Sequence, residues 1–285
     1  MASLLEAAAA RRLGAWQADA AVVFGSGLAA LPPGAETDEE LPYGDLGWPR
    51  TVVPGHRNAL QLVRVTAAGG RELKLALACG RPHRYEGWSD GELEQPVRAL
   101  AAAGVRRLLL TNSCGGLRPG AAPGAAVVCE RVIDLQRPPR GAAPPVLPVC
   151  TAAAGERLVA ALLASPVASA GLPPAAPAGA PPAASPGPVR ALRGAYVAVA
   201  GPHFESPAEA RWLARYGDVV GMSAAPELRA ARAAGASCAL VALVVNRAAE
   251  VGSHDDVLAA SGRLAGALAD RLVAALTARW PELAS

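Results

Sequence analysis

Apolar residues occur along the chain in short continuous runs, and most runs stop at a polar segment that contains glycine. Such runs are typical of buried strands, whereas apolar residues at helical spacing are typical of helices. The first pattern predicts strands at residues 20–24, 59–65, 73–78, 105–111, 126–132, 196–199, 218–222 and 240–245. The second predicts helices at residues 91–103, 155–164 and 255–278, and two more that begin at residues 206 and 226. Strands that alternate with helices in this order predict an α/β protein.

The segment 197–225 places unusual polar and aromatic residues between two of these strands. Residues 206–209 (SPAE) have the cap, the first-turn proline and the early acid of a helix start. His203, Phe204 and Glu205 are therefore expected on a strand-to-helix loop. Because loops at the ends of strands in α/β sheets commonly hold ligands, this loop is the first candidate for a functional site.

Several other predicted strands end at a loop that carries hydroxyl or basic side chains. These side chains are Ser26, Arg81, His83, Ser113 and Ser223. Hydroxyl groups give directed hydrogen bonds, and arginine gives a fixed fork that suits phosphate oxygens. Together the residues indicate an anion site. Singly, each has a structural explanation, because Gly-Ser-Gly is often only a turn, arginine is often solvated and serine often caps a helix.

Composition and charge narrow the choice of partner. The chain has 285 residues and a formal net charge of +3, which is too small a charge to indicate nucleic acid binding. Its five cysteines lack CxxC or Cys/His spacing, so neither a disulfide framework nor a zinc site is predicted. The N-terminus lacks the apolar core of a secretory signal, and no charge-free run is dense enough in large side chains to span a membrane. We therefore expect a cytoplasmic protein with a small-molecule partner.

Residues 165–189 form an uncharged tract of proline, alanine and glycine. This composition predicts a flexible loop with polyproline character rather than a packed element. The predicted strands on both sides of the tract are needed to complete one sheet. We therefore expect one domain over residues 1–285, with this loop inserted in it.

Seven motifs in the chain resemble those of one known family. They are VVFGSGL, VPGH, GRPHRYEGW, LLLTNSCGGL, AGPHFESPAE, VGMSAAPE and ALVVNRAA. In order and character they resemble the motifs of the purine nucleoside phosphorylases of the trimeric type, within the nucleoside phosphorylase-I family. The resemblance implies a single domain with a central mixed β-sheet or distorted barrel flanked by helices, of the phosphorylase/hydrolase-like type. It also implies a homotrimer that uses inorganic phosphate as co-substrate and needs no metal or other cofactor.

The resemblance gives individual residues a role. The phosphate-binding residues would be Ser26, His56, Arg81, His83, Ser113 and Ser223. The nucleoside-binding residues would be Tyr85, Cys114, Gly115, Phe204, Glu205, Val220, Met222, Asn246 and His254. The residues that take part in catalysis would be Asn246, Glu205 and His83.

Some of these residues also have an ordinary structural explanation. Glu205 alone would serve as the acid at a helix start, and Phe204 and Met222 alone would belong to the core. Asn246 is different, because an amide at the end of an apolar strand needs hydrogen-bond partners. His203 is expected to have a structural role rather than a catalytic one.

Three segments depart from the family pattern. Residues 132–150 contain no Phe or Tyr, whereas the family has an aromatic residue there that reaches the ribose site of the neighbouring subunit. Val245 stands where threonine is common, and the loop between Asn246 and His254 is short. These departures leave the preferred sugar and the exact nucleoside open.

The expected reaction is phosphorolysis of 6-oxopurine nucleosides, of the inosine and guanosine type, to the free base and (deoxy)ribose 1-phosphate. We expect Asn246→Ala or Glu205→Ala to abolish it. The alternatives are a phosphorylase for a modified or 5′-substituted nucleoside such as methylthioadenosine, a nucleoside hydrolase, and a non-catalytic nucleoside-binding protein. A nicotinamide-dependent dehydrogenase, which residues 25–27 (GSG) would suggest, is disfavoured because the third glycine and the acidic ribose partner of that fingerprint are missing.

Overall fold

The strands and helices of the computed structural model follow the alternation that the apolar runs predict. The structure describes residues 10–66, 70–137, 143–150, 157, 159–163, 190–250 and 253–283. Its strands are β1 (Ala20–Val23), β2 (Glu36–Pro42), β3 (Ala59–Thr66), β4 (Glu72–Ala78), β5 (Arg107–Gly116), β6 (Ala126–Asp134), β7 (Val146–Pro148), β8 (Ala191–Ala198), β9 (Val219–Gly221) and β10 (Ser237–Arg247). Its main helices are α1 (Asp90–Ala102), α2 (Pro207–Leu213), α3 (Ala225–Ala233) and α4 (His254–Leu283), and a 3₁₀ helix spans Arg84–Glu86.

Five of these strands close into a barrel. β5 runs parallel to β10, β10 runs antiparallel to β6, and β6 runs parallel to β8. β8 runs parallel to β9, which returns antiparallel to β5 and completes the circle. The sheet also continues from β5 through β1, β4 and β3 to β2 at its edge. Because β5 belongs to both the barrel and the open part of the sheet, the two parts form a single α/β domain.

Helices cover the sheet on both faces, which explains why β5 is a continuous apolar run. Leu110 packs in one core cluster with Val97 of α1 and Leu228 of α3. Leu109 faces the other way, into a second cluster that includes Leu264 of α4. The first half of the strand therefore has no solvated face. The polar side chains of its second half need hydrogen-bond partners within the protein or on a ligand.

Most of the predicted elements are confirmed, with small differences at their ends. One difference of five residues lies in β5, which continues to Gly116 instead of ending at Thr111. Residues 112–116 remain in the strand because β10 pairs with them throughout and β9 pairs with the last two. The apolar pattern does not predict β2, which is rich in exposed acidic residues, or β7, which has only three residues.

The predicted flexible tract at 165–189 lies outside the described residues. Within the helix predicted at 155–164, residues 157 and 159–163 are described and are helical. In the part of the chain that the structure describes, no helix has both the length and the apolar content needed to cross a membrane.

The end of β5 requires a glycine because the backbone of the following turn packs directly on it. A Cβ atom on Gly116 would lie 1.9 Å from the carbonyl oxygen of Ala121. We expect Gly116→Ala to lower the free energy of unfolding by about 1–3 kcal/mol, since relief of this contact needs a backbone shift. Gly120→Ala is the matched control, because a Cβ atom on Gly120 would have no described atom within 4 Å. Urea denaturation measures both variants, and equal stabilities would contradict the close approach.

Candidate active site

The ends of several strands meet at one cleft beside the barrel. β1, β4, β5 and β10 run parallel to one another where they pair, so their carboxyl ends lie at the same edge of the sheet. The predicted site residues that line the cleft are Ser26, Arg81, His83, Tyr85, Ser113, Cys114, Gly115, Phe204, Glu205, Val220, Met222, Ser223, Asn246 and His254. The structure thus brings together residues from distant parts of the sequence, as predicted. His56 is the one predicted site residue that is not part of this lining.

Arg81 lies just after β4 and is almost fully buried, with 2% of its surface exposed. Its Nη1 donates to the carbonyl oxygen of Thr111 at 2.6 Å and lies 3.4 Å from the hydroxyl of Ser223. Its Nη2 has no hydrogen-bond partner among the described residues. A buried guanidinium donor without a partner is costly, and because Arg81 lines the cleft, an anion bound there would satisfy it.

Glu227 in the first turn of α3 holds the other side of this guanidinium. Its Oε1 lies 2.6 Å from Nε of Arg81, and both side chains are buried. Buried charges persist only when they are paired, so the pair fixes the direction in which Arg81 points. From the sequence, Glu227 is explained simply as an acid at a helix start, and its partner is too distant along the chain to be recognised.

Asn112, which lines the cleft, is also missed by sequence reasoning. It is 2% exposed, and neither its Oδ1 nor its Nδ2 has a partner among the described residues. Buried amides are almost always hydrogen-bonded. Because Asn112 lines the cleft between Gly25 and Ser113, its free donor and acceptor are available to a ligand.

Ser26 follows β1 on a turn that contacts the loop after β2. Its hydroxyl lies 3.0 Å from Nε2 of His56, and the N–H of Gly27 donates to the carbonyl oxygen of Gly55. Burial lowers the pKa of His56 to about 3, and His83 and Arg81 add to this effect. His56 is therefore a neutral imidazole at pH 7, which orients the Ser26 hydroxyl without adding charge.

His83 is held by Glu86 at the start of the 3₁₀ helix. Oε2 of Glu86 accepts from the backbone N–H of His83 at 2.7 Å and lies 3.2 Å from its Nδ1. Burial raises the pKa of Glu86, but hydrogen bonds from His83, Val52 and Thr51 outweigh it and lower the pKa to about 2. The ring of His83 also stacks on Tyr85, with centroids 4.9 Å apart. This arrangement fixes the imidazole and leaves its Nε2 free to contact a ligand.

The two remaining serines of the predicted anion site differ in the hydrogen bonds that their hydroxyl groups already make within the protein. The Ser113 hydroxyl lies 2.7 Å from the hydroxyl of Ser261 in α4 and donates to the carbonyl oxygen of Ser26 at 3.3 Å. It is therefore engaged within the protein. The Ser223 hydroxyl contacts Arg81, while its backbone N–H donates to the Tyr196 hydroxyl at 3.4 Å.

The other end of the cleft carries aromatic, carboxylate and amide groups. Phe204 is 39% exposed, which is unusual for a phenylalanine and leaves its ring accessible from the cleft. Burial raises the pKa of the neighbouring Glu205, and the charge of Glu209 adds to this effect. Asn246 lies at a bulge of β10, where its Nδ2 donates to the carbonyl oxygen of Arg247 at 3.0 Å. These groups can stack on and hydrogen-bond to a flat polar ring.

The loop that carries Phe204 packs closely on the middle of the cleft. Gly201 has a φ of +72°, and a Cβ there would lie 2.4 Å from Sδ of Met222. His203 is exposed and does not line the cleft. At the opposite rim, Nε2 of His254 at the start of α4 lies 3.2 Å from the carbonyl oxygen of Pro54. Among the described residues, no group of three or more His, Cys, Asp or Glu side chains could hold a metal ion.

Known proteins of similar sequence and fold share this architecture. Residues 19–277 match the family model of the phosphorylase superfamily. A purine nucleoside phosphorylase from Mycobacterium tuberculosis is 36% identical over 272 residues, which cover 92% of this chain and 91% of that protein. Purine nucleoside phosphorylase 1 from Geobacillus stearothermophilus is 32% identical over 250 residues, which cover 83% of this chain and 82% of that protein.

A solved structure of a more distant relative supports the fold. The purine nucleoside phosphorylase of Schistosoma mansoni in complex with inosine superposes with a TM-score of 0.71 at 24% identity, and the match covers 96% of this chain and 95% of that chain. The sequence matches extend over nearly the whole protein, including every segment that contributes to the cleft. The chain therefore belongs to the phosphorylase superfamily, among its purine nucleoside phosphorylases.

Proposed function

We propose that the protein catalyses the phosphorolysis of purine nucleosides, with 6-oxopurine nucleosides of the inosine and guanosine type as substrates. The observation that carries this proposal is that one cleft has a cationic end and an end made of aromatic, carboxylate and amide groups. One end holds Arg81 with an unpartnered Nη2, and the other holds Phe204, Glu205 and Asn246. The names of the relatives that match over more than four fifths of the chain agree with it.

At the anion end, the protein positions inorganic phosphate as the nucleophile. Nη2 of Arg81 and the hydroxyls of Ser26 and Ser223 donate to phosphate oxygens, and Nε2 of His83 contacts the phosphate. A phosphate oxygen then forms a bond to C1′ of the sugar as the bond between C1′ and N9 of the purine breaks. Positive charge develops on the sugar in this step, and the bound anion beside it stabilises that charge.

At the base end, the electron pair of the broken bond moves onto the purine. Asn246 donates from Nδ2 to N7 and stabilises the negative charge that develops there. Glu205 accepts a hydrogen bond from N1–H, a group that 6-oxopurines carry and that 6-aminopurines lack. Phe204 stacks on the ring, and Met222 and Tyr85 contact the ribose. These roles favour hypoxanthine and guanine as leaving groups over adenine.

The remaining expectations from the resemblance belong to the same proposal. The enzyme acts as a cytoplasmic homotrimer, uses inorganic phosphate as co-substrate and needs no other cofactor. A modified or 5′-substituted nucleoside is the second candidate substrate. The absence of Phe and Tyr from residues 132–150, near the sugar end of the family site, favours this alternative.

Incubation of the purified protein with inosine, guanosine and adenosine, with and without inorganic phosphate, tests the proposal. We expect hypoxanthine and guanine to be released only when phosphate is present, with ribose 1-phosphate as the second product, because phosphate is the nucleophile. Chromatography of bases and sugars measures both products. Free ribose in phosphate-free buffer would indicate a hydrolase, and turnover of adenosine alone would contradict the 6-oxopurine assignment.

The raised pKa of Glu205 predicts that kcat/KM for the nucleoside falls at acid pH. The carboxylate accepts N1–H only when it is ionised, so kcat/KM for inosine should fall as the pH drops through a pKa above the ordinary value of 4.5. Glu205→Gln should lower kcat/KM at neutral pH and abolish this limb. Glu92→Gln, which removes the capping carboxylate of α1 outside the cleft, is the control. An unchanged acid limb in Glu205→Gln would contradict the role of Glu205.

The two unpartnered atoms of Asn112 predict a variant that is more stable but less active. Asn112→Leu removes two unsatisfied buried polar atoms, so the ligand-free protein should gain about 1 kcal/mol of stability. The same change removes a group that lines the cleft near Arg81, where phosphate is proposed to bind, so the KM for phosphate should rise roughly tenfold. Thermal unfolding without ligand and steady-state kinetics measure the two effects. A destabilised variant with an unchanged KM for phosphate would show that Asn112 serves packing instead.

A further inference from the structure

Gln136 lies just beyond β6, in the segment that lacks the aromatic residue of the family. It is buried, with 6% of its surface exposed. Its Nε2 donates to two backbone carbonyl oxygens, that of Val199 at 3.1 Å and that of Met222 at 3.0 Å. Gln136 does not line the cleft itself.

The two carbonyl groups stand where β8 and β9 separate. The parallel pairing of these strands ends at Ala198 and Gly221, and the N–H of Val199 still donates to the carbonyl oxygen of Gly221. Beyond this point β8 continues into residues 201–205, which we call the base-side loop. β9 continues into residues 222–223, which we call the sugar-side turn. A single side-chain amide therefore ties the two segments together at the place where backbone pairing stops.

The backbone of Gln136 is itself held in a fixed place. The backbone N–H of Gln136 donates to Oδ1 of Asp134 at 3.1 Å. Oδ2 of Asp134 lies 2.5 Å from Nη1 of Arg229 in α3, and Arg229 also binds Asp90 and Glu94 of α1. Because Asp134 is 1% exposed, this ion pair is buried and resists displacement. Gln136 is thus connected to the helices that pack behind the barrel.

We propose that Gln136 is a positioning residue that sets the distance between the base-side loop and the sugar-side turn. This inference rests on the proposed function, because both segments carry residues that contact the nucleoside there. Loss of the amide leaves two carbonyl groups without this donor, and the two segments then lose their common anchor. Nucleoside binding depends on both segments at once.

The phosphate end of the cleft has different supports. Arg81 is held by Glu227 and by the carbonyl oxygen of Thr111, and Ser26 is held by His56. None of these contacts involves Gln136. Of the side chains proposed to bind phosphate, only Ser223 lies in a segment that Gln136 holds, and Nη1 of Arg81 also contacts its hydroxyl. A change at Gln136 therefore affects the KM for nucleoside much more than the KM for phosphate, which a general loss of stability would not do.

The test compares Gln136→Met, which keeps the length of the side chain but has no donor, with Gln95→Met. Gln95 is the matched control, because it is also a buried glutamine whose Nε2 donates to a backbone carbonyl, that of Gly47 at 3.1 Å, away from the cleft. We expect Gln136→Met to raise the KM for inosine roughly tenfold and the KM for phosphate less than about twofold. Gln95→Met should lower the unfolding temperature comparably and change neither KM by more than about twofold.

Gln136→Asn provides a milder second variant if Gln136→Met does not fold. Its shorter side chain keeps the amide but cannot reach both carbonyl groups, so the KM for inosine should rise by an intermediate factor. Equal changes in both KM values, or an unchanged KM for inosine in a folded variant, would overturn the inference. If the unaltered protein releases no base from inosine with phosphate present, the proposed function fails and this inference fails with it. If it does release base, the KM values of the variants test the role of Gln136 alone.

Discussion

The buried ion pair between Arg81 and Glu227 is the constraint on which the rest of the site depends. Two charges removed from water are stable only when geometry and hydrogen bonds compensate their desolvation. Oε1 of Glu227 lies 2.6 Å from Nε and the carbonyl oxygen of Thr111 accepts from Nη1, which leaves Nη2 for a ligand. The direction of this one donor decides where an anion can lie. The serine hydroxyls and the imidazole of His83 are then arranged around that position.

The closed barrel explains how an anion site and a base site come to share one cleft. β5 carries Asn112 and Ser113 toward the end of the cleft that holds Arg81, and it pairs with both β9 and β10 near its carboxyl end. β9 leads into Met222 and Ser223, and β10 brings Asn246. Strand pairing therefore helps to set the distance between the two ends. Rigid elements of this kind hold reacting groups in a near-attack geometry.

Much of this architecture can be predicted from the sequence because it depends on local signals. Strands that stop at Gly-rich polar segments predict the cleft, and the motifs that contain Ser26, Arg81 and Glu205 predict which side chains line it. Asn112 and Glu227 are missed because their meaning depends on distant partners. Asn112 looks like a loop residue until β5 is seen to continue through it, and Glu227 looks like a helix-start acid until Arg81 is seen beside it. The acidic edge strand β2 is missed because its pairing partner, and not its own sequence, makes it a strand.

The central claim is that the orientation of Arg81 creates a preformed phosphate site. Calorimetric titration of the unaltered protein with inorganic phosphate, and of the Arg81→Met/Glu227→Leu double variant, tests it most directly. The double variant removes both buried charges together, which leaves neither one unpaired and preserves the fold. We predict that the unaltered protein binds one phosphate per chain and that the folded double variant binds none. Undiminished phosphate binding by the folded double variant, or no binding by the unaltered protein, would contradict the account.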